Sequence, residues 1–274
     1  MTVNNLYWSQ VDMTPRPKGT QDPHYHELRN FWVFVRDNDR DNAEEFLKRF
    51  PGSVTAAIRA NDGDEGAPGD QAIHIAAHTG RPDMIDFLLS KGAGVDDANP
   101  TNGKTPLMAA AMSGKAEAVE LLLKKGANTE TRDFDGCTAL WNAARFGHEL
   151  AAKALLLGGA DIEAAPRESR STPLLAAIEG HNDWTAIFLL EQRAKTHVAD
   201  SEGNTPFSLI AGRGIENGTR RRLRELLTQR SAEEQEGERV FLERQRQELI
   251  EEITAAVHTP VDMRGKTMAP LRLR

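Results

Sequence analysis

The chain has 274 residues, 39% hydrophobic and 27% charged, and its 34 basic and 41 acidic side chains leave a net charge of −7. That balance disfavours nucleic acid, whose binders carry a basic face, and fits a neutral or basic partner. The single cysteine, Cys137, excludes an internal disulfide and fits a reducing, cytoplasmic setting, and neither a basic-then-apolar leader nor a membrane-spanning run is visible.

In chain order, residues 1–26 read as an extended arm, with His24 and His26 at the surface. Segments 34–39 and 43–47 read as two short helices, an atypical first unit of a stack. Residues 61–70 make an acidic, glycine-rich loop that is expected to be mobile.

Beyond that loop the chain repeats itself. Thr105-Pro106-Leu107-Met108, Thr138-Ala139-Leu140-Trp141, Thr172-Pro173-Leu174-Leu175 and Thr205-Pro206-Phe207-Ser208 follow a degenerate copy, Gln71-Ala72-Ile73-His74. Their starts are 34, 33, 34 and 33 residues apart. Gly92-Ala93, Gly126-Ala127, Gly159-Ala160 and, decayed, Arg193-Ala194 keep the same rhythm. A period of this length predicts a stacked solenoid, a surface for binding more than a container for chemistry.

Within a unit, Thr105-Pro106 opens a helix, since proline suits a first turn where its missing N–H had no partner. Gly114 ends that helix in a left-handed conformation. Val119, Leu122 and Leu123 fall on the core side of a second helix that Gly126 stops. Asp133-Phe134-Asp135-Gly136 then reads as a hairpin tip. The order is turn, helix, helix, and only stacking buries the apolar faces.

These units resemble ankyrin repeats, whose signature is T-P-L-H-x-A in about 33 residues. The match is clear over 67–214 and looser over 27–230. The resemblance implies an all-α solenoid of helix pairs with protruding hairpins that recognises a protein by its concave side. It also implies which positions make contact. At the turns these are Thr101, Asn102, Lys104, Phe134, Asp135, Cys137, Glu168, Ser169 and Ser171. On the first helices they are His78, Met112, Arg145 and Phe146. The signature histidine is kept as His74 but becomes Met108, Trp141 and Leu175 in the next three units. That row reads either as an apolar belt along the groove or as packing between repeats.

The late units depart from the pattern. Gly180 falls one place early, so His181 holds the glycine position and an altered turn is expected. About four extra residues follow Gly212. Residues 220–229 read as a helix with Leu223, Leu226 and Leu227 inward. Ser231 to Glu234 form a capping-box pattern that opens a further helix over 231–258, with Phe241, Leu242, Leu249, Ile250, Ile253 and Val257 near one face. It reads as a cap on the last repeat, or as a face that docks a partner or a second copy. Residues 259–274 read as a flexible basic tail.

Chemistry is harder to find. His74 and His78 stand four apart, a spacing able to hold a metal, but no third ligand is evident. Cys137 lacks a base and a surrounding motif, although a hairpin tip places it within reach of solvent. The basic run Arg220, Arg221, Arg222 and Arg224 is answered by Glu225 and reads as a solvated helix face. There is no phosphate loop, nucleophile elbow or dinucleotide fingerprint.

The sequence therefore reads as a non-enzymatic binding module with no cofactor and no metal, monomeric, acting as a scaffold or a stoichiometric inhibitor. The alternatives are a regulatory subunit of an enzyme complex and a homo-oligomer joined by the C-terminal helix. The expected contacts are Lys104, Met108, Met112, Phe134, Asp135, Trp141, Arg145, Phe146, Leu175 and His78, centred on Trp141.

Overall fold

The computed structural model describes residues 25–55, 69–211 and 218–257. Residues 1–24 of the expected arm, most of the acidic loop, the insertion at 212–217 and the basic tail lie outside the described residues. The described residues are helical apart from turns and hairpins, and the chain divides into two compact units, one ending at Leu227 and one starting at Thr228.

The first unit holds paired helices. They are α1 (Tyr25–Arg36) with α2 (Arg40–Arg49), α3 (Ala72–Thr79) with α4 (Pro82–Ser90), and α5 (Pro106–Met112) with α6 (Ala116–Lys124). Then come α7 (Ala139–Phe146) with α8 (Glu149–Leu157), α9 (Pro173–Glu179) with α10 (Asp183–Glu191), and α11 (Pro206–Ala211). The expected helix at 34–39 is longer and earlier. It begins at Tyr25, and its apolar face of Phe31, Trp32 and Val35 packs into the core with Ala43 and Leu47.

Local chemistry sets the helix starts. The hydroxyls of Thr105, Thr138 and Thr172 accept the amide N–H of Met108, Trp141 and Leu175 at 3.4, 3.3 and 3.4 Å, satisfying one otherwise orphaned donor each. Alanine lets the first helices come close. Ala76, Ala77, Ala110, Ala111, Ala143, Ala144, Ala176 and Ala177 are fully buried, and α3, α5, α7 and α9 pack each on the next.

The hairpins are built on buried carboxylates. Asp133 Oδ1 accepts the N–H of Asp135 and Cys137 at 3.1 and 2.8 Å, and Asp200 Oδ1 accepts those of Glu202 and Asn204 at 2.8 Å each. Neighbouring tips are tied together. The Phe134 N–H donates to the Asn102 carbonyl at 3.0 Å, and the Ser201 N–H to the Ser169 carbonyl at 2.7 Å.

The turn of the fifth unit is not altered as expected. His181 adopts φ 59°, in the same left-handed region as Gly80, Gly114 and Gly147, and keeps their bond pattern by donating to the Ile178 carbonyl. Arg193 likewise takes φ 71° where earlier units have glycine.

The last helix, α12 (Gly218–Val257), starts well before Ser231. The capping-box residues are interior, and Glu233 pairs with Arg230 one turn back, because 218–230 is already helical. Leu223, Leu226 and Leu227 are buried as expected. In the second unit Val240, Phe241, Leu242, Leu249 and Ile250 are exposed.

Candidate protein-binding groove

The hairpin tips and the exposed sides of α5 and α7 enclose a groove of about 490 Å³ in the first unit. Seven of the ten expected contact residues line it: Lys104, Met112, Phe134, Asp135, Trp141, Arg145 and Phe146. Repeat geometry explains the convergence. The residue before each threonine cap and those at each hairpin tip recur at the stacking interval, so they meet along one side of the first helices.

Phe134 is 72% exposed and Phe146 50% exposed. The Phe134 ring lies over Gly103, where even a methyl group would come within 2.6 Å of it. Trp141 is half-buried, and its indole N–H donates to the Ser171 carbonyl in the next unit at 2.9 Å. That bond matches one made by His74. There the Gln71 N–H donates to Nδ1 at 3.2 Å, so Nε2 carries the proton and donates to the Lys104 carbonyl at 3.0 Å. Tryptophan thus retains the inter-repeat donor of the signature histidine and adds a ring edge to the groove.

Three expected contacts fall elsewhere. Met108 and Leu175 are 1% and 0% exposed, so they pack between repeats and offer a partner no surface. The belt expected from 108, 141 and 175 reduces to Trp141 alone. His78 is exposed but lies outside this groove, with its Nδ1 2.6 Å from the Ser113 hydroxyl.

Cys137 also departs from expectation. It lines the groove but is buried, and burial with the carboxylates of Asp133 and Asp135 pushes its pKa up to about 12. At neutral pH it is a protonated thiol held by the hairpin, not a nucleophile. Asp133 titrates above the usual carboxylate range because of burial, which the Cys137 N–H only partly offsets.

Sequence reasoning passed over Asp133, Asn142 and Pro166 in the groove wall. It also passed over Trp184, 66% exposed on α10. The signal was available, since Trp184 and Leu150 occupy a position that holds Asp83 and Glu117 in the earlier units.

Among the described residues no three potential ligands converge on a metal position, and both ring nitrogens of His74 are engaged in hydrogen bonds. No helix there is long and apolar enough to cross a membrane.

Burial holds the His74 pKa below its ordinary value, with Asp70 and the Lys104 carbonyl opposing only part of the shift. A lowered folded-state pKa means that the unfolded chain takes up the proton first. The stability from neutral His74 is therefore complete above the unfolded value, about 6.5, and is lost as pH falls toward the folded one. Urea midpoints should drop between pH 7.5 and 5.0, and His74→Leu should flatten that drop while lowering the midpoint at pH 7.5. Equal pH slopes in the two proteins would remove His74 as the cause.

Residues 35–133 and 73–166 match the family model described as ankyrin repeats in three copies. The chain is similar to the B-cell lymphoma 3 protein homolog of Mus musculus, 31% identical over 147 residues, which is 52% of this chain and 33% of that protein. It is similar to the neurogenic locus notch homolog protein 1 of Xenopus tropicalis, 33% identical over 144 residues, or 52% of this chain and 6% of that one. It is also similar to the ankyrin repeat and KH domain-containing protein mask of Drosophila melanogaster, 35% identical over 108 residues, or 39% and 3%. The chain thus spans at most a third of the length of these relatives.

Proposed function

The chain belongs to the ankyrin-repeat family, and on that premise we propose that it is a non-enzymatic module that binds one partner protein through the groove beside its hairpins. The observation that carries this is the open aromatic surface at one place on the stack. Phe134 stands 72% exposed at a hairpin tip, with Phe146 and Trp141 in the same groove. Aromatic side chains dominate the energy of binding sites, and a ring at a tip has no core to enter. Bound there, the chain serves as a scaffold or as a stoichiometric inhibitor in the cytoplasm.

Phe134→Ala tests the reading with little risk to folding, because so much of the ring is already in water. With a partner captured by the intact chain and identified by mass spectrometry, calorimetry should show at least tenfold weaker binding, about 1.4 kcal/mol, at unchanged circular dichroism. The second reading is a homo-oligomer joined through α12, favoured by the exposed Val240, Phe241, Leu242, Leu249 and Ile250. It leaves the Phe134→Ala affinity at the wild-type value.

A further inference from the structure

The groove has a charge as well as an apolar floor. Phe134 stands between Asp133 and Asp135 in the chain, and the same tip position one unit later is Glu168, whose side chain also lines the groove. Asp133 is spent on the hairpin amides. The carboxylates of Asp135 and Glu168 are exposed, and no hydrogen bond or ion pair reaches them among the described residues. Two bases share the groove, and neither forms an ion pair with Asp135 or Glu168. The Lys104 ammonium sits 3.2 Å from the Met112 sulfur, and the Arg145 guanidinium lies beside Gly180, within 3.0 Å of where a side chain there would begin.

An exposed ring that shares a groove with two exposed, unpaired carboxylates complements a planar cation. Guanidinium stacks on aromatic faces and pairs with carboxylates through two parallel N–H bonds, which an ammonium does not. We propose that the groove takes an extended segment of the partner protein that sets an arginine against Phe134 and pairs it with Asp135 and Glu168. This deepens the protein-binding reading of the same groove and rests on it. The net charge of −7 adds long-range attraction for such a segment.

The test is selection of random 12-residue peptides displayed on phage against the immobilised full chain, followed by titration of the enriched peptides in solution. Enriched sequences should carry arginine beside an apolar residue. The best peptide should lose about tenfold affinity to Asp135→Asn/Glu168→Gln, with the difference shrinking at high salt. Phe134→Ala should also weaken it. Peptides that depend on Phe134 but are acidic, neutral or rich in lysine without arginine would overturn the arginine assignment and leave the groove standing. Peptides indifferent to Phe134→Ala would overturn the groove reading itself, and a library yielding no binder would sink both.

Discussion

Trp141→Ala is expected to destabilise the repeat stack by about 2–4 kcal/mol, a large share of the stability of a domain. Two losses add. The half-buried indole is removed from between α7 and the next hairpin, and the Ser171 carbonyl loses its donor at 2.9 Å. Trp141→His should recover part of this, because the chain already shows the solution. Two repeats earlier, at the equivalent place, His74 Nε2 donates to the Lys104 carbonyl, 30 residues ahead, as the Trp141 indole does to the Ser171 carbonyl. Both variants strip the indole from the groove, so both should weaken partner binding at least roughly 30-fold, or about 2 kcal/mol. Urea denaturation separates the effects. A histidine variant no more stable than the alanine variant would mean that the inter-repeat bond contributes little. Wild-type affinity in a folded histidine variant would remove Trp141 from the binding surface.

The repeat itself was legible because its signals are local and recur. A threonine hydroxyl capping an amide three residues on, a proline in the first turn and a glycine at the end of a helix all work within one turn of chain. Repetition in register turned five weak signals into one strong one. The groove was legible for the same reason, since positions in register along a stack must line up, and seven of the ten expected contacts share it.

What the sequence did not reveal depends on depth. Met108, Trp141 and Leu175 hold one register position, yet two are fully buried and one is half-open. Nothing in the pattern states how far a side chain at that position reaches past its own helix. Tryptophan is long enough to cross the inter-repeat gap and still meet the groove, whereas methionine and leucine fill the gap and stop. Cys137 was misplaced by the opposite assumption, that a hairpin is open throughout. Asp133 draws two amides inward and closes the hairpin over the thiol. The start of α12 was missed because a capping box is only a permission to begin a helix. When the preceding turn is already helical, the same serine and glutamates simply continue it.

Restoring the usual glycine register in the fifth unit is expected to harm the protein, and this separates sequence pattern from structural cause. In the wild type Gly180 has φ −72°, a conformation open to any residue, while His181 sits at φ 59°, which costs an ordinary residue about 1 kcal/mol or more. Pattern alone says the pair is the wrong way round. Packing says otherwise. A methyl group on Gly180 would come within 2.3 Å of the Arg145 carbonyl and 2.6 Å of the Asn182 amide. The Arg145 carbonyl is backbone in α7 and accepts the Asn182 side-chain N–H at 2.8 Å, so it cannot retreat without moving the neighbouring repeat. Gly180→Ala should therefore cost about 2–3 kcal/mol through overpacking. His181→Gly should be close to neutral, since relief of the left-handed strain is offset by the greater freedom of the unfolded chain. The exchanged variant, Gly180→His with His181→Gly, should be at least as unstable as Gly180→Ala, although it matches the repeat pattern better than the wild type. Urea midpoints of the three variants decide the matter. An exchanged variant as stable as the parent would show that α7 and α9 can part at little cost, and that the early glycine is an accident of sequence and not a requirement of their contact.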